Sequence, residues 1–194
     1  WSSDVCSSDL ITEYRLDNGF RFLFFPDDSK PLVTINMTVF VGSRHEGYGE
    51  TGMAHLLEHM VFKGTPTYPN VPKALRDHGA EFNGTTWVDR TNYFEVLPSN
   101  QLETAFWLES DRMGFLLDSV TQKKFEVQRS TVKNEKGQRI DNVPYGKTQE
   151  LLCSTLYPEG HPYSWPVIGY IDDLNRVNVE DLKNFFMRWY GPNN

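Results

Sequence analysis

The stretch that most constrains this chain is TGMAHLLEHMVFK, the thirteen residues from Thr51 to Lys63. Wound as a helix at about 100° per residue, it puts Met53, Leu56, Leu57 and Met60 within about a third of the circumference, a stripe that has to be buried. His55 and His59 fall one turn apart on the opposite side, with Glu58 beside them. Two imidazoles at i and i+4 can share one metal ion, and a carboxylate next to them can hold a water on that ion. The order is H-x-x-E-H, the reverse of H-E-x-x-H. Such a pattern arises by chance in a chain of this length less than about one time in a hundred, so a merely solvated polar face is the weaker reading.

The flanking sequence supplies strands first and helices later. Tyr14 to Leu16, the turn Asp17-Asn18-Gly19, and Phe20 to Phe25 read as a hairpin whose aromatic residues go to the core. Leu32 to Val41 is β-branched and apolar, as a central strand requires, and Thr51 is placed to cap the motif helix. Lys73 to His78 reads as a short helix ended by Gly79. Glu81 to Trp87 and Asn92 to Leu97 read as antiparallel strands. Asn100 to Leu117 is an amphipathic helix with Asn100 and Glu103 at capping-box spacing, and Thr121 to Ile140 is a long charged helix. Tyr145 to Tyr157 and Val179 to Tyr190 complete the helices, the last capped by Asn178. This order predicts an α+β fold, a mostly antiparallel sheet with helices packed on one face.

With 39% hydrophobic residues among 194, the chain can bury one core, and residues 11–194 read as one domain. Trp1 to Leu10, WSSDVCSSDL, is Ser/Asp-rich, reads as non-native, and is expected to carry no ordered structure. Gly191 to Asn194 reads as a loop that should feed a further strand, so the domain is expected to be incomplete. A net charge of −7 without a basic cluster argues against nucleic acid as a partner. No apolar run reaches the length of a membrane span. Cys6 and Cys153 lie far apart and form no ligand pair.

A catalytic zinc usually takes three protein ligands and leaves one position for water. The inward stripe of the long helix, set by Phe125 and Val132, also carries Gln128 and Glu135, two turns apart. Glu126 points elsewhere, and Lys136 is a cation that zinc would not recruit. A carboxylate near a core-facing stripe is costly unless it is paired or bound to a metal, which makes Glu135 the candidate. Periodicity alone leaves a surface carboxylate as an equal reading.

At this point the sequence resembles the insulinase/pitrilysin family of zinc metallopeptidases. Gly42-Ser43-Arg44-His45-Glu46, then Thr51-Gly52-Met53-Ala54-His55-Leu56-Leu57-Glu58-His59-Met60 and Phe62-Lys63-Gly64-Thr65, look like the family signature. Gln138 to Gly146, QRIDNVPYG, is similar to bacterial members. The family's last zinc ligand is a glutamate some seventy-odd residues beyond the second histidine, where Glu135 stands.

The resemblance implies that His55, His59 and Glu135 hold one zinc ion and that Glu58 is the catalytic base. Many relatives carry a second glutamate where this chain has Gln128, which supports a histidine from behind by hydrogen bonding. Asn83 sits at the polar position of the family's substrate-binding edge strand. The expected activity is hydrolysis of extended or unfolded peptides. The expected partner is a homologous second half, fused or separate, without which these residues should cleave poorly. A bacterial periplasmic setting is the compartment the resemblance suggests. A non-catalytic scaffold subunit is the competing reading, and a purely structural zinc site a third. Zinc content separates the scaffold from the others.

Overall fold

Alternating side chains build two antiparallel three-stranded sheets in the computed structural model, which describes residues 2–5, 11–27 and 29–194. The first has the order β1 (Ser2–Val5), β2 (Thr12–Arg15), β3 (Arg21–Phe24). The expected hairpin is β2–β3, closed by the Gly19 N–H donating to the Leu16 carbonyl at 2.9 Å. Its aromatic residues do not reach the core: Leu23, Phe24 and Phe25 are exposed. Phe22 touches Phe106 edge-on, but among the described residues β2 and β3 contribute nothing to either buried cluster. Ser2–Val5 pairs with β2, where no ordered structure was expected; main-chain pairing requires no particular side chain. Residues 1 and 6–10 lie outside the described residues.

The second sheet has the order β4 (Leu32–Val39), β6 (Thr91–Pro98), β5 (Glu81–Thr86). β6, not β4, is therefore its central strand. The reason shows in the alternation, since β6 turns Thr91, Tyr93, Glu95 and Leu97 fully inward, whereas β4 leaves Leu32 exposed.

The helices are α1 (Met53–Val61), α2 (Val71–Asp77), α3 (Leu102–Ser119), α4 (Gln122–Lys136), α5 (Thr148–Leu156), α6 (Ile171–Arg176) and α7 (Val179–Trp189). A π-helical turn, Gly137–Asp141, extends α4. At the centre is α1, whose Met53, Leu56, Leu57 and Met60 pack with Val41, Tyr93, Leu116, Phe125, Val132, Leu174 and Phe185. Full burial of each large apolar side chain is worth roughly 1.5–3 kcal/mol, so the stripe anchors the fold. Ala54 and Val61 are buried too. α1 is thus enclosed on more sides than its stripe predicts, because β5, α3 and α7 pack on it as well as α4.

Two caps differ from expectation. Gly52, not Thr51, precedes α1, with φ of 89°, and a Cβ there would meet the Ile168 carbonyl oxygen at 2.7 Å. The buried carboxylate of Glu46 accepts from Gly52 N at 2.9 Å and Ala54 N at 2.8 Å, serving the first turn and the positive end of the helix dipole. Thr51 instead donates its hydroxyl to Asp173 Oδ2 at 2.7 Å. The Asn100–Glu103 capping box is absent, because a 3₁₀ turn over Ser99–Gln101 leads into α3. Asn178 does cap α7, in a reciprocal box with Asp181.

Candidate metal centre

Packing of α4 against α1 brings the two distant segments together. Phe125, Gln128 and Val132 bury the inward stripe of α4, and Glu135, three residues after Val132, follows about one turn on and faces the histidines. The Nε2 atoms of His55 and His59 are 3.3 Å apart. Glu135 Oε2 lies 3.4 Å from His59 Nε2 and 3.8 Å from His55 Nε2. Zinc bonds of about 2.0–2.2 Å in tetrahedral geometry separate ligand atoms by about 3.4 Å. The three donors match that spacing, and two imidazoles with a carboxylate are a donor set zinc takes. No other group of three or more His, Cys, Asp or Glu residues close enough to share an ion occurs among the described residues.

The electrostatics favour the metal-binding protonation state. Burial, then the neighbouring His59 and Arg139, push the His55 imidazole down to about 3. Burial also lowers His59, against the opposing pull of the Glu135 carboxylate. Neutral rings are the form a metal requires, so ions need not compete with protons near neutrality.

Glu58 stands beside the cluster and is 8% exposed. Its Oε2 accepts a hydrogen bond from Thr86 Oγ1 at 2.5 Å, while Oε1 has no hydrogen-bond partner among the described residues. Burial raises its pKa, Thr86 opposes that rise, and Glu135 adds to it. Gly84 leaves the room: a Cβ there would sit 3.1 Å from Glu58 Cγ and Oε1.

Gln128 is buried next to His59 and favours its protonated ring. Asn83 is not drawn into the cluster. The pleat of β5 turns Gly84 and Thr86 toward Glu58 and leaves Asn83 exposed, its Oδ1 accepting from Gly84 N at 2.9 Å. β5 nonetheless lies at the edge of its sheet, beside the cluster.

Two contributors escaped the sequence reading. Thr86 shares strand parity with Gly84, a signal usable only once the facing helix is known. Arg139, four residues after Glu135, places Nη1 2.7 Å from Glu135 Oε1.

Residues 22–160 match the insulinase family, peptidase family M16. The chain is 32% identical over 182 residues to the zinc protease PqqE of Helicobacter pylori, covering 92% of this chain and 40% of that protein. The crystal structure of a protease from Helicobacter pylori superposes with a TM-score of 0.89 at 31% identity, over 95% of this chain and 44% of that one. The periplasmic protease PqqL from Escherichia coli gives a TM-score of 0.85 at 25% identity, over 97% of this chain and 22% of that one. The chain therefore spans less than half the length of these relatives. The family match and the helix pair carrying two histidines and a glutamate lead to the same conclusion: this chain belongs to the insulinase family of peptidases.

Proposed function

We propose that this chain carries the metal-binding half of a zinc metalloendopeptidase, with His55, His59 and Glu135 as ligands of one zinc ion and Glu58 as the general base. The observation that carries the reading is the near-tetrahedral spacing of three donors from α1 and α4 beside a buried carboxylate with one free oxygen. Zinc, when bound, supplies a Lewis acid that polarises a peptide carbonyl and acidifies a water. Glu58 Oε1 accepts the proton of the attacking water and returns it to the leaving amine nitrogen. The Thr86 hydroxyl fixes the other oxygen, so that Oε1 is the one presented. Burial of Glu58 raises its basicity toward that task.

An extended peptide fits the edge of β5 that pairs with no strand among the described residues, through main-chain hydrogen bonds, with Asn83 beside the added strand. The relatives extend well beyond the matched region, which supports a second half, fused or separate, that closes over the substrate. A periplasmic setting is favoured because the matched protease from Escherichia coli is periplasmic. No helix among the described residues is long and apolar enough to cross a membrane. The test is Glu58→Gln in the full-length protein. Zinc content should be retained while peptide hydrolysis falls by about 10²–10⁴-fold. Full activity would remove Glu58 from the role of base, and a protein that binds no zinc would favour the scaffold reading.

A further inference from the structure

We infer that Arg139 is a positioning residue for the metal centre: its guanidinium holds the outer oxygen of Glu135, so that the other oxygen stays turned to the two imidazoles. This rests on the proposed zinc site and adds a residue to it. Glu135 divides its carboxylate, with Oε2 facing His55 and His59 and Oε1 lying 2.7 Å from Arg139 Nη1. Among the described residues no other lysine or arginine is within ion-pair range of Glu135. A free glutamate spreads over several rotamers, and each must be given up when the carboxylate binds. A cation fixed on one oxygen removes that freedom before the metal arrives.

The local backbone supports the placement. α4 passes directly into the π-helical turn Gly137–Asp141, closed by Asn142 N donating to the Gly137 carbonyl at 2.9 Å. Such bulged turns recur at functional sites, and this one carries Arg139 over the end of the ligand helix. An ordinary surface i,i+4 ion pair contributes little because both partners are solvated. Here only one is: the Arg139 side chain is 77% exposed and that of Glu135 19%. The opposing effect is repulsion between the guanidinium and a divalent ion. Both effects come from the same exposed guanidinium and both weaken with salt, but the repulsion acts over the longer distance and is screened more than the direct 2.7 Å contact with the carboxylate.

The experiment measures zinc dissociation constants of the full chain by competition with a chelating dye, at low and high salt, for wild type, Arg139→Met, Arg139→Lys and Glu135→Gln. Thermal unfolding of each metal-free protein is recorded alongside. Arg139→Met should bind zinc about tenfold more weakly at low salt and remain weaker than wild type at high salt, with unfolding of the metal-free protein unchanged. Arg139→Lys should recover part of the loss, since an ammonium lacks the planar fork but keeps the charge. Unchanged or tighter binding by Arg139→Met, with Glu135→Gln weakened, would overturn the positioning role alone. Wild-type zinc binding by Glu135→Gln would overturn the ligand assignment and the inference with it.

Discussion

Asp173 is buried at the foot of the motif helix, and replacing it tests whether that helix is held from outside. Its Oδ2 accepts from Thr51 Oγ1 at 2.7 Å, Thr51 N at 3.2 Å and Gly49 N at 3.0 Å. Thr51 is fully buried, so both of its donors would be stranded in Asp173→Ala. The Gly49 N–H is only partly buried, and water can replace its partner. A buried donor left without an acceptor costs about 1–3 kcal/mol, which puts the alanine variant near 3 kcal/mol of lost stability. For a chain of this size that corresponds to a fall in Tm of about 6–12 °C. Asp173→Asn keeps an oxygen for Thr51 and loses the ion pair with the exposed Arg176 guanidinium, 3.0 Å away. Such a pair contributes at most about 1 kcal/mol. Urea unfolding followed by circular dichroism, with equal m-values as the condition for comparison, measures both variants. An alanine variant within about 1 kcal/mol of wild type would show that the Thr51 donors find other acceptors and that Asp173 does not hold the segment. An asparagine variant as damaged as alanine would show that charge, rather than an acceptor, holds the segment.

Gly84→Ala puts a methyl 3.1 Å from Glu58 Cγ and Oε1 and from Phe62 Cε2. Reduced freedom of the unfolded chain offsets the crowding, so stability should change by less than about 1 kcal/mol. Hydrolysis by the full-length protein should fall about tenfold, because the carboxylate has to give way; unchanged turnover would show that Oε1 tolerates displacement. The depressed pKa of His55, about 3 when folded against 6.5 for an ordinary histidine, makes the metal-free chain acid-sensitive. The unfolded chain takes up a proton that the buried ring refuses, so stability is full above about pH 6.5 and is lost as pH falls toward 3. Urea midpoints should drop more steeply between about pH 7 and pH 5 in wild type than in His55→Ala, and parallel curves would contradict this sign.

The parts legible in the sequence are those where local periodicity and burial agree. Met53, Leu56, Leu57 and Met60 mark the buried side of α1. Phe125 with Val132 phases α4 only far enough to make Glu135 a candidate beside an equal surface reading, and it is the family resemblance that singles it out. Asn178 is legible as a cap because its partner Asp181 lies three residues away. Glu46 and Asp173 were not, since each serves the start of α1 through tertiary contacts that no spacing records. The hairpin aromatics misled because β-propensity marks a strand without saying whether another layer covers it. Leu32 to Val41 has the composition of a central strand, yet β6 takes that place through pairing on both its edges. The short helix α6 lacks the length for periodicity to show.

His55, His59 and Glu135 are expected to meet at a single ion, and zinc K-edge absorption on the loaded chain measures this directly. The spectrum should show one zinc per chain with two imidazole nitrogens and a carboxylate oxygen at about 2.0–2.2 Å. Each of His55→Ala, His59→Ala and Glu135→Ala should abolish it. A sulfur shell, or an unchanged spectrum in the Glu135 variant, would contradict the three-ligand site.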